Sequence, residues 1–161
     1  MTERQKIIPC LWFDFNAEEA VRHYLDIFED SRILEISHYG EAVPAHNGKV
    51  LTILFELKGQ QILALNAGPD FPFTEAISLS IDCADQQEVD MYWTRLSEGG
   101  STSQCGWLKD KFGVSWQTAP RRLMELFTDP DKSKAARAMK AMMSMTKIDI
   151  AQVEAAANNT R

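Results

Sequence analysis

Two stretches of the chain decide the fold: IIPCLWFDFNAEEAVRHYLDIF at residues 7–28 and ISLSIDCADQQEVDMYWTRLSEGG at residues 77–100. Each begins with an apolar run of strand length and continues with apolar side chains at helical spacing. A capping box separates the two parts, Asn16-Ala-Glu-Glu19 in the first stretch and Asp85-Gln-Gln-Glu88 in the second. In such a box the first side chain accepts a hydrogen bond from the first helical turn, and the acidic residue reaches back. The recurrence predicts two copies of one structural unit.

Strand patterns follow each helix. In the first half they cover residues 32–39, 49–57 and 61–66, and in the second half residues 101–109 and 114–119. Several strands after one strand and one helix favour a mostly antiparallel sheet with its helix on one face. The sequence therefore predicts an α+β fold made of two βαβββ modules, each forming a half-barrel sheet.

The end of the chain has a different pattern. Asp129-Pro130-Asp131 precedes a helix rich in alanine and methionine, and Asp149 is placed to cap a last helix. Three methionines of the longer helix are expected to share a face: Met139, Met142 and Met143. We expect a first module at residues 1–70, a second at 71–121 and a C-terminal helical extension at 122–161, all within one folded unit.

Composition excludes several classes of function. The 161 residues carry a net charge of −6, which disfavours a nucleic-acid surface because phosphate binding requires clustered Lys and Arg. Apolar runs such as residues 62–65 are too short to cross a membrane. The N-terminus has no apolar segment typical of a secretory signal, so a cytoplasmic location is expected. Cys10, Cys83 and Cys105 are too widely spaced for a disulfide framework or a metal knuckle.

Several strings resemble the PhnB-like branch of the vicinal oxygen chelate superfamily, which contains glyoxalase, bleomycin-resistance and extradiol dioxygenase proteins. The most specific of them is Gly106-Trp-Leu-Lys-Asp-Lys-Phe-Gly-Val-Ser-Trp116. The resemblance covers nearly the whole chain and also includes these strings: Leu11-Trp-Phe-Asp14, Leu65-Asn-Ala-Gly-Pro69, Phe73-Thr-Glu-Ala-Ile-Ser78 and the tail from Asp129 to Ile150. The family also carries the label demethylubiquinone methyltransferase-like. No glycine-rich nucleotide-binding fingerprint for S-adenosylmethionine is visible in this sequence.

The resemblance also implies a pocket in which catalytic relatives hold a divalent metal with His and Glu or Gln of their opening and closing strands. Here the opening strands contain no histidine, and the closing positions carry Asn66 and Gln117. Neutral amides are weak ligands, so no metal and no cofactor are predicted, and a divalent metal remains the alternative. His23, His38 and His46 lie outside these strand positions, although His38 and His46 could meet across a loop.

Ligand pockets are mostly apolar with a few placed polar groups. We expect such a pocket to be formed by the following side chains: Trp12, Phe55, Asn66, Phe73, Ser78, Ser80, Trp107, Trp116 and Gln117. No catalytic residue is identified, because Cys105 has no evident base and Tyr39 with His38 is only a conceivable acid–base pair.

Two functions follow from this pattern. The first is a metal-free module that binds or sequesters an unidentified small molecule, as bleomycin-resistance relatives do. The alternative is a metal-dependent lyase, isomerase or dioxygenase of the glyoxalase type, so the question of catalysis stays open at this point. A homodimer is expected for either function, because superfamily pockets are often completed across a dimer and methionine-rich helices offer adaptable apolar faces.

Overall fold

Each copy of the repeated sequence folds into one four-stranded sheet with one helix. The computed structural model describes residues 3–160 and contains two compact units, one extending to Phe73 and the other starting at Thr74. The predicted α+β fold of two βαβββ modules followed by helices is confirmed. Both sheets are open rather than closed into barrels, because the first and last strands of each order do not pair. Each sheet is mixed, with one parallel pair and two antiparallel pairs.

The first module contains five regular elements: β1 (Cys10–Phe13), α1 (Ala17–Ile27), β2 (Ser31–His38), β3 (Val50–Leu57) and β4 (Gln60–Asn66). The strand order in its sheet is β1-β4-β3-β2, with β1 parallel to β4 and the other neighbours antiparallel. A single 3₁₀ turn, Pro44–His46, lies in the loop between β2 and β3.

The second module repeats this arrangement with β5 (Leu79–Cys83), α2 (Gln86–Ser97), β6 (Ser101–Thr102), β7 (Trp107–Lys109) and β8 (Ser115–Pro120). Its strand order is β5-β8-β7-β6, again with the first pair parallel and the others antiparallel. The topological match between the two sheets agrees with the repeat seen in the sequence.

The strand predicted at residues 101–109 is interrupted by a turn between β6 and β7. Cys105 and Gly106 adopt positive φ angles of 59° and 79° within this turn, a conformation that glycine tolerates best. A Cβ atom at Gly106 would lie 2.7 Å from the carbonyl oxygen of Thr118. The glycine is therefore required by the close approach of β8, which the local sequence pattern does not reveal.

Helix α1 covers one face of the first sheet. Its side chains Ala20, Val21 and Tyr24 are fully buried, and the Tyr24 ring stacks near the ring of Phe55 in β3 with centroids 6.4 Å apart. The strand registers place Ile53 and Phe55 opposite Ala64 and Ile62 of β4 on the same face. Because successive strand residues point to opposite faces, the residues between them face away from the helix.

Helix α2 covers one face of the second sheet in the same way. Val89 and Leu96 of the helix are fully buried, and Leu108 of β7 and Trp116 of β8 are each only 2% exposed. Leu108 and Trp116 are direct partners in the antiparallel register, so their side chains lie on the same face. This apolar layer forms the core of the second module.

The two predicted capping boxes have different outcomes. In the second, the Asp85 carboxylate accepts a hydrogen bond of 2.9 Å from the Glu88 amide, while Glu88 accepts one of 2.7 Å from the Ala84 amide. The prediction for Asn16 is wrong, because its side chain makes no capping hydrogen bond. The amide of Ala17 instead donates to the side chain of Asn66, 49 residues along the chain.

Three helices complete the second unit: α3 (Arg121–Phe127), α4 (Lys132–Met143) and α5 (Ile150–Ala157). The predicted cap Asp149 is confirmed, and Asp131 caps α4 in the same way, since each carboxylate accepts a hydrogen bond from an amide of the following helix. The helices enclose a small core of their own, made by Leu123, Leu126, Ala138, Ile148, Val153 and Ala157. Met142 packs against this core, whereas Met139 and Met143 are exposed and do not join it.

The side chain of Gln86 at the start of α2 connects these helices to the second module. Its Nε2 donates to the carbonyl of Ile148 at 2.9 Å, and its Oε1 accepts from the amide of Ile150 at 2.9 Å. Lys147 adds an ion pair of 2.7 Å with Asp90. The extension is thereby anchored to the N-terminal turn of α2.

Across residues 3–160, none of the helices is long and apolar enough to span a membrane.

The caps generate a first prediction. Asp85→Ala removes an observed helix cap and is expected to lower the free energy of unfolding by about 1 kcal/mol. Asn16→Ala is the matched control and is expected to change it by less than about 0.5 kcal/mol, because the Asn16 side chain makes no capping hydrogen bond. Urea denaturation followed by circular dichroism measures both values, and equal losses in the two variants would contradict the cap assignment.

Candidate functional site

The face of the second sheet that points away from α2 carries most of the polar strand residues. Trp107 and Ser80 flank Gln117 as its register partners in β7 and β5, so all three lie on this face. The Gln117 Nε2 donates a hydrogen bond of 2.9 Å to the hydroxyl of Ser78. Four of the nine predicted pocket residues are therefore together on what we call the open face, defined by Ser78, Ser80, Trp107 and Gln117.

A cavity of about 210 Å³ lies at the β6–β7 edge of the open face. Trp107 belongs to both the open face and the cavity wall, and the full lining comprises Glu75, Ser101, Ser103, Trp107, Leu108, Lys109 and Ser115. Leu108 contributes to the lining although its side chain packs towards α2. The cavity therefore combines one large aromatic side chain, three hydroxyls and two opposite charges.

The two charges of the cavity form an ion pair. The Lys109 ammonium lies 2.5 Å from a carboxylate oxygen of Glu75. The hydrogen bond from Lys109 is the main reason why the pKa of the Glu75 carboxyl lies below its ordinary value. Glu75 is therefore ionised at neutral pH and places a negative charge beside the Lys109 ammonium.

Phe55 and Trp116 were also expected in the pocket, but the structure places both on the helix-facing sides of their sheets. Phe55 is fully buried against Tyr24. The Trp116 indole donates a hydrogen bond of 2.8 Å to the Asp110 carboxylate, which also accepts from the amides of Phe112 and Val114. Each ring forms core contacts within its own module, and Trp116 lies on the side of the second sheet opposite the open face.

Asn66 has a structural role at the end of β4. Its Oδ1 accepts a hydrogen bond of 3.0 Å from the Ala17 amide, and its Nδ2 donates to a Glu18 carboxylate oxygen at 2.8 Å and to the Val50 carbonyl at 3.1 Å. The residue is only 2% exposed. These three bonds anchor the start of α1 to two strands of the first sheet.

Trp12 and Phe73, the remaining two expected pocket residues, belong to the first unit. The register pairs Trp12 with Leu65 on the sheet face opposite α1, and its indole donates to the Gly68 carbonyl at 2.8 Å. The ring of Phe71 meets Trp12 edge to face at 4.8 Å, and Phe73 meets Phe13 in the same way at 5.2 Å. The orientation of Trp12 is thus fixed by contacts within the first unit, and the ring of Phe73 extends the core of that unit.

The residues at the superfamily's metal positions do not fit a divalent ion. The Asn66 Oδ1 already accepts a hydrogen bond from the Ala17 amide, and Gln117, whose Nε2 donates to Ser78, offers a metal only a weak, neutral amide oxygen. Cys10 is the thiol of the first opening strand, and desolvation raises its pKa, which disfavours the thiolate that metals bind. Between residues 3 and 160, no group of three or more His, Cys, Asp and Glu side chains is arranged to hold a metal.

The histidines lie elsewhere in the first unit. The His46 ring packs against the rings of Phe15 at 4.6 Å and Tyr39 at 5.3 Å, while His38 is exposed at the end of β2. The Tyr39 hydroxyl donates to the Asn66 carbonyl at 2.6 Å. Tyr39 therefore already has a hydrogen-bond partner other than His38.

Sequence reasoning missed Lys109 and Ser115 as cavity residues. Both lie one position away from the buried residues Leu108 and Trp116, so the strand alternation of two would have placed them on the open side. Glu75 could not have been paired with Lys109 from sequence, because 34 positions separate them and no periodicity connects a loop to a strand.

Comparison with known proteins agrees with this two-module fold, which is typical of the vicinal oxygen chelate superfamily. A family model described as 3-demethylubiquinone-9 3-methyltransferase matches residues 5–119. The chain belongs to this family, the PhnB-like branch of the superfamily. The matched range ends before the helical extension begins. No curated protein sequence matches the chain significantly.

Two solved structures illustrate the similarity. A PhnB protein from Bacillus cereus is 35% identical, with a TM-score of 0.66, and the alignment covers 72% of this chain and 99% of that protein. The protein PA1353 from Pseudomonas aeruginosa is 21% identical, with a TM-score of 0.61 and coverage of 73% and 98%. The first supports the family, and the second supports the fold.

The position of Asn66 leads to a second prediction. Asn66→Ala is expected to lower the free energy of unfolding by about 2–3 kcal/mol, because it removes three hydrogen bonds and leaves a buried amide unpaired. Gln117→Ala removes an amide that donates a single hydrogen bond, to the Ser78 hydroxyl, and is expected to cost less than about 1 kcal/mol. Urea unfolding of both variants tests this, and similar losses would mean that Asn66 does not anchor α1.

Proposed function

We propose that this protein binds and sequesters a small organic molecule on the open face of its second sheet without a metal ion. The observation that supports this is the clustering of Ser78, Ser80, Trp107 and Gln117 on one sheet face beside a cavity of about 210 Å³. Small-molecule sites typically combine an apolar wall with a few polar groups that fix orientation.

Each part of the site has a distinct contribution to binding. The half-buried indole of Trp107 offers a flat apolar surface on which a ring or chain can pack. Gln117 is held in place by its hydrogen bond to Ser78, so its amide is oriented before a ligand arrives. Such preorganisation reduces the entropy that binding would otherwise cost.

Binding without a metal is proposed because of the ligand chemistry. The closing residues Asn66 and Gln117 carry neutral amides, which are weak ligands, and the Asn66 Oδ1 already accepts a hydrogen bond from the Ala17 amide. A lyase, isomerase or dioxygenase of the glyoxalase type would need carboxylate or imidazole ligands with open coordination positions. Binding therefore agrees better with the residues present than the enzymatic alternative does.

A ligand screen provides a third prediction. Ligand-observed NMR with a library of small aromatic compounds is expected to give binders to the wild-type protein that are lost in Trp107→Leu. Trp93→Leu changes a half-buried tryptophan of α2 in the same unit and is the matched control, because binders should be retained there. Circular dichroism checks that both variants fold, and loss of the binders in both, or in neither, would contradict the assigned face.

A fourth prediction concerns metal content. The purified protein is soaked in excess Fe, Mn, Ni or Zn salts and desalted, and elemental analysis is then expected to find far less than one equivalent of each. The reason is the weak affinity of neutral amide donors for these ions. Retention of about one equivalent per chain, lost on mutation of His38, His46 or Glu75, would favour the metal-dependent enzyme instead.

A further inference from the structure

The cavity beside the open face contains a cation, Lys109, whose ion-pair partner Glu75 is largely exposed to solvent. Lys109 lies in β7 between its register partners Ser101 of β6 and Ser115 of β8. Glu75, its ion-pair partner, precedes β5 in a segment without regular structure, and its side chain is 67% exposed, compared with 35% for Lys109. An exposed ion pair of this kind contributes little stability, so a competing anion can displace the carboxylate.

Ser115 supplies an independent sign of a missing partner. The residue is 2% exposed, and its hydroxyl oxygen has no hydrogen-bond partner within the described part of the chain. It lines the cavity and shares a sheet face with Lys109. An unpaired buried hydroxyl is unfavourable, and unsatisfied polar groups are concentrated at functional sites. A ligand oxygen placed in the cavity would provide the missing hydrogen bond.

We infer that the cavity binds the carboxylate of a small, flat organic anion, which replaces Glu75 at Lys109 and accepts a hydrogen bond from Ser115. In the absence of this ligand, the Glu75 carboxylate occupies the position beside the Lys109 ammonium and makes no hydrogen bond to the Ser115 hydroxyl. The inference rests on the proposed function and specifies its ligand class. No covalent step is involved, and the only exchange is that of one carboxylate for another at the ammonium group.

The volume of the cavity and the net charge of the protein further restrict the class of ligand. The cavity of about 210 Å³ is smaller than the roughly 300 Å³ at which sites for drug-sized molecules begin. A single ring with one carboxylate is therefore a suitable size, with its flat side against Trp107. The net charge of −6 repels anions from the protein as a whole, so binding has to come from this local arrangement.

Benzoate and its neutral analogue benzamide test the inference by NMR titration of the wild-type protein. Benzoate is expected to bind with a dissociation constant in the range of about 1 mM and to shift the signal of the Trp107 indole, whereas benzamide is expected to bind at least about tenfold more weakly. Equal binding of both compounds at Trp107 would overturn the anion inference and leave the proposed binding function intact. Failure of benzoate to bind at about 10 mM would also overturn it.

Three variants separate the roles of the charged and polar groups. Lys109→Gln is expected to weaken benzoate binding about tenfold and Ser115→Ala about threefold. Glu75→Gln is expected to tighten it about threefold, because the internal competitor loses its charge. Ser115→Ala should also unfold at an unchanged or higher temperature, since removing an unpaired buried hydroxyl costs no hydrogen bond.

The matched control is Glu125→Gln, which removes an acidic partner of Arg122 elsewhere in the same unit. It lowers the net negative charge by the same amount as Glu75→Gln and is expected to leave benzoate affinity unchanged. Equal tightening in the two variants would attribute the effect to overall charge and refute competition by Glu75. A stability loss without an affinity change in Ser115→Ala would likewise contradict a ligand contact.

Discussion

The packing of α2 against β7 and β8 is the constraint on which the site depends. Leu108 and Trp116 are partners in the antiparallel register and fill the space beneath the helix. Because side chains alternate along a strand, the adjacent residues Trp107 and Gln117 must point to the other face. A shift of one residue would exchange the two sets and place the amide in the core. The bond from the Trp116 indole to Asp110 holds this register at the β7–β8 turn.

The two modules share a topology but use their polar residues differently. Asn66 ends β4 on the helix-facing side, where its amide replaces the expected cap of α1. Gln117 lies within β8 on the open side, where its amide meets a serine hydroxyl. In the first module the side-chain amide of Asn66 therefore stabilises the fold, whereas in the second module the amide of Gln117 lies on the face beside a cavity. Only the second module carries the arrangement from which binding is proposed.

The helical extension lies beyond the residues that the family model matches, and it makes hydrogen bonds to the second module. Gln86 follows the cap residue of α2 and satisfies a carbonyl and an amide of the segment between α4 and α5. The loop before β7 contributes as well, since the amides of Cys105 and Gly106 donate to the carbonyls of Met145 and Thr146. These bonds stabilise the turn that separates β6 from β7, and this turn lies next to the strands that line the cavity.

The sequence by itself determined the two-module fold, the helix caps Asp85 and Asp149, and the family. Strand and helix periodicities and capping residues act over a few positions, so a local pattern is enough to reveal them. Strand alternation also predicted that Ser78 and Ser80 share a face, whereas Trp107 and Gln117 were proposed as pocket residues from the family resemblance.

Only the tertiary structure decided the roles of Asn66, Phe55, Trp116 and Glu75. Each depends on a partner distant in the chain or on the face that a helix covers, such as Ala17 for Asn66 and Lys109 for Glu75. Whether an aromatic strand residue lines a pocket or fills a core is determined by the packing of the helix. The residue type is the same in both environments, so the sequence does not distinguish them.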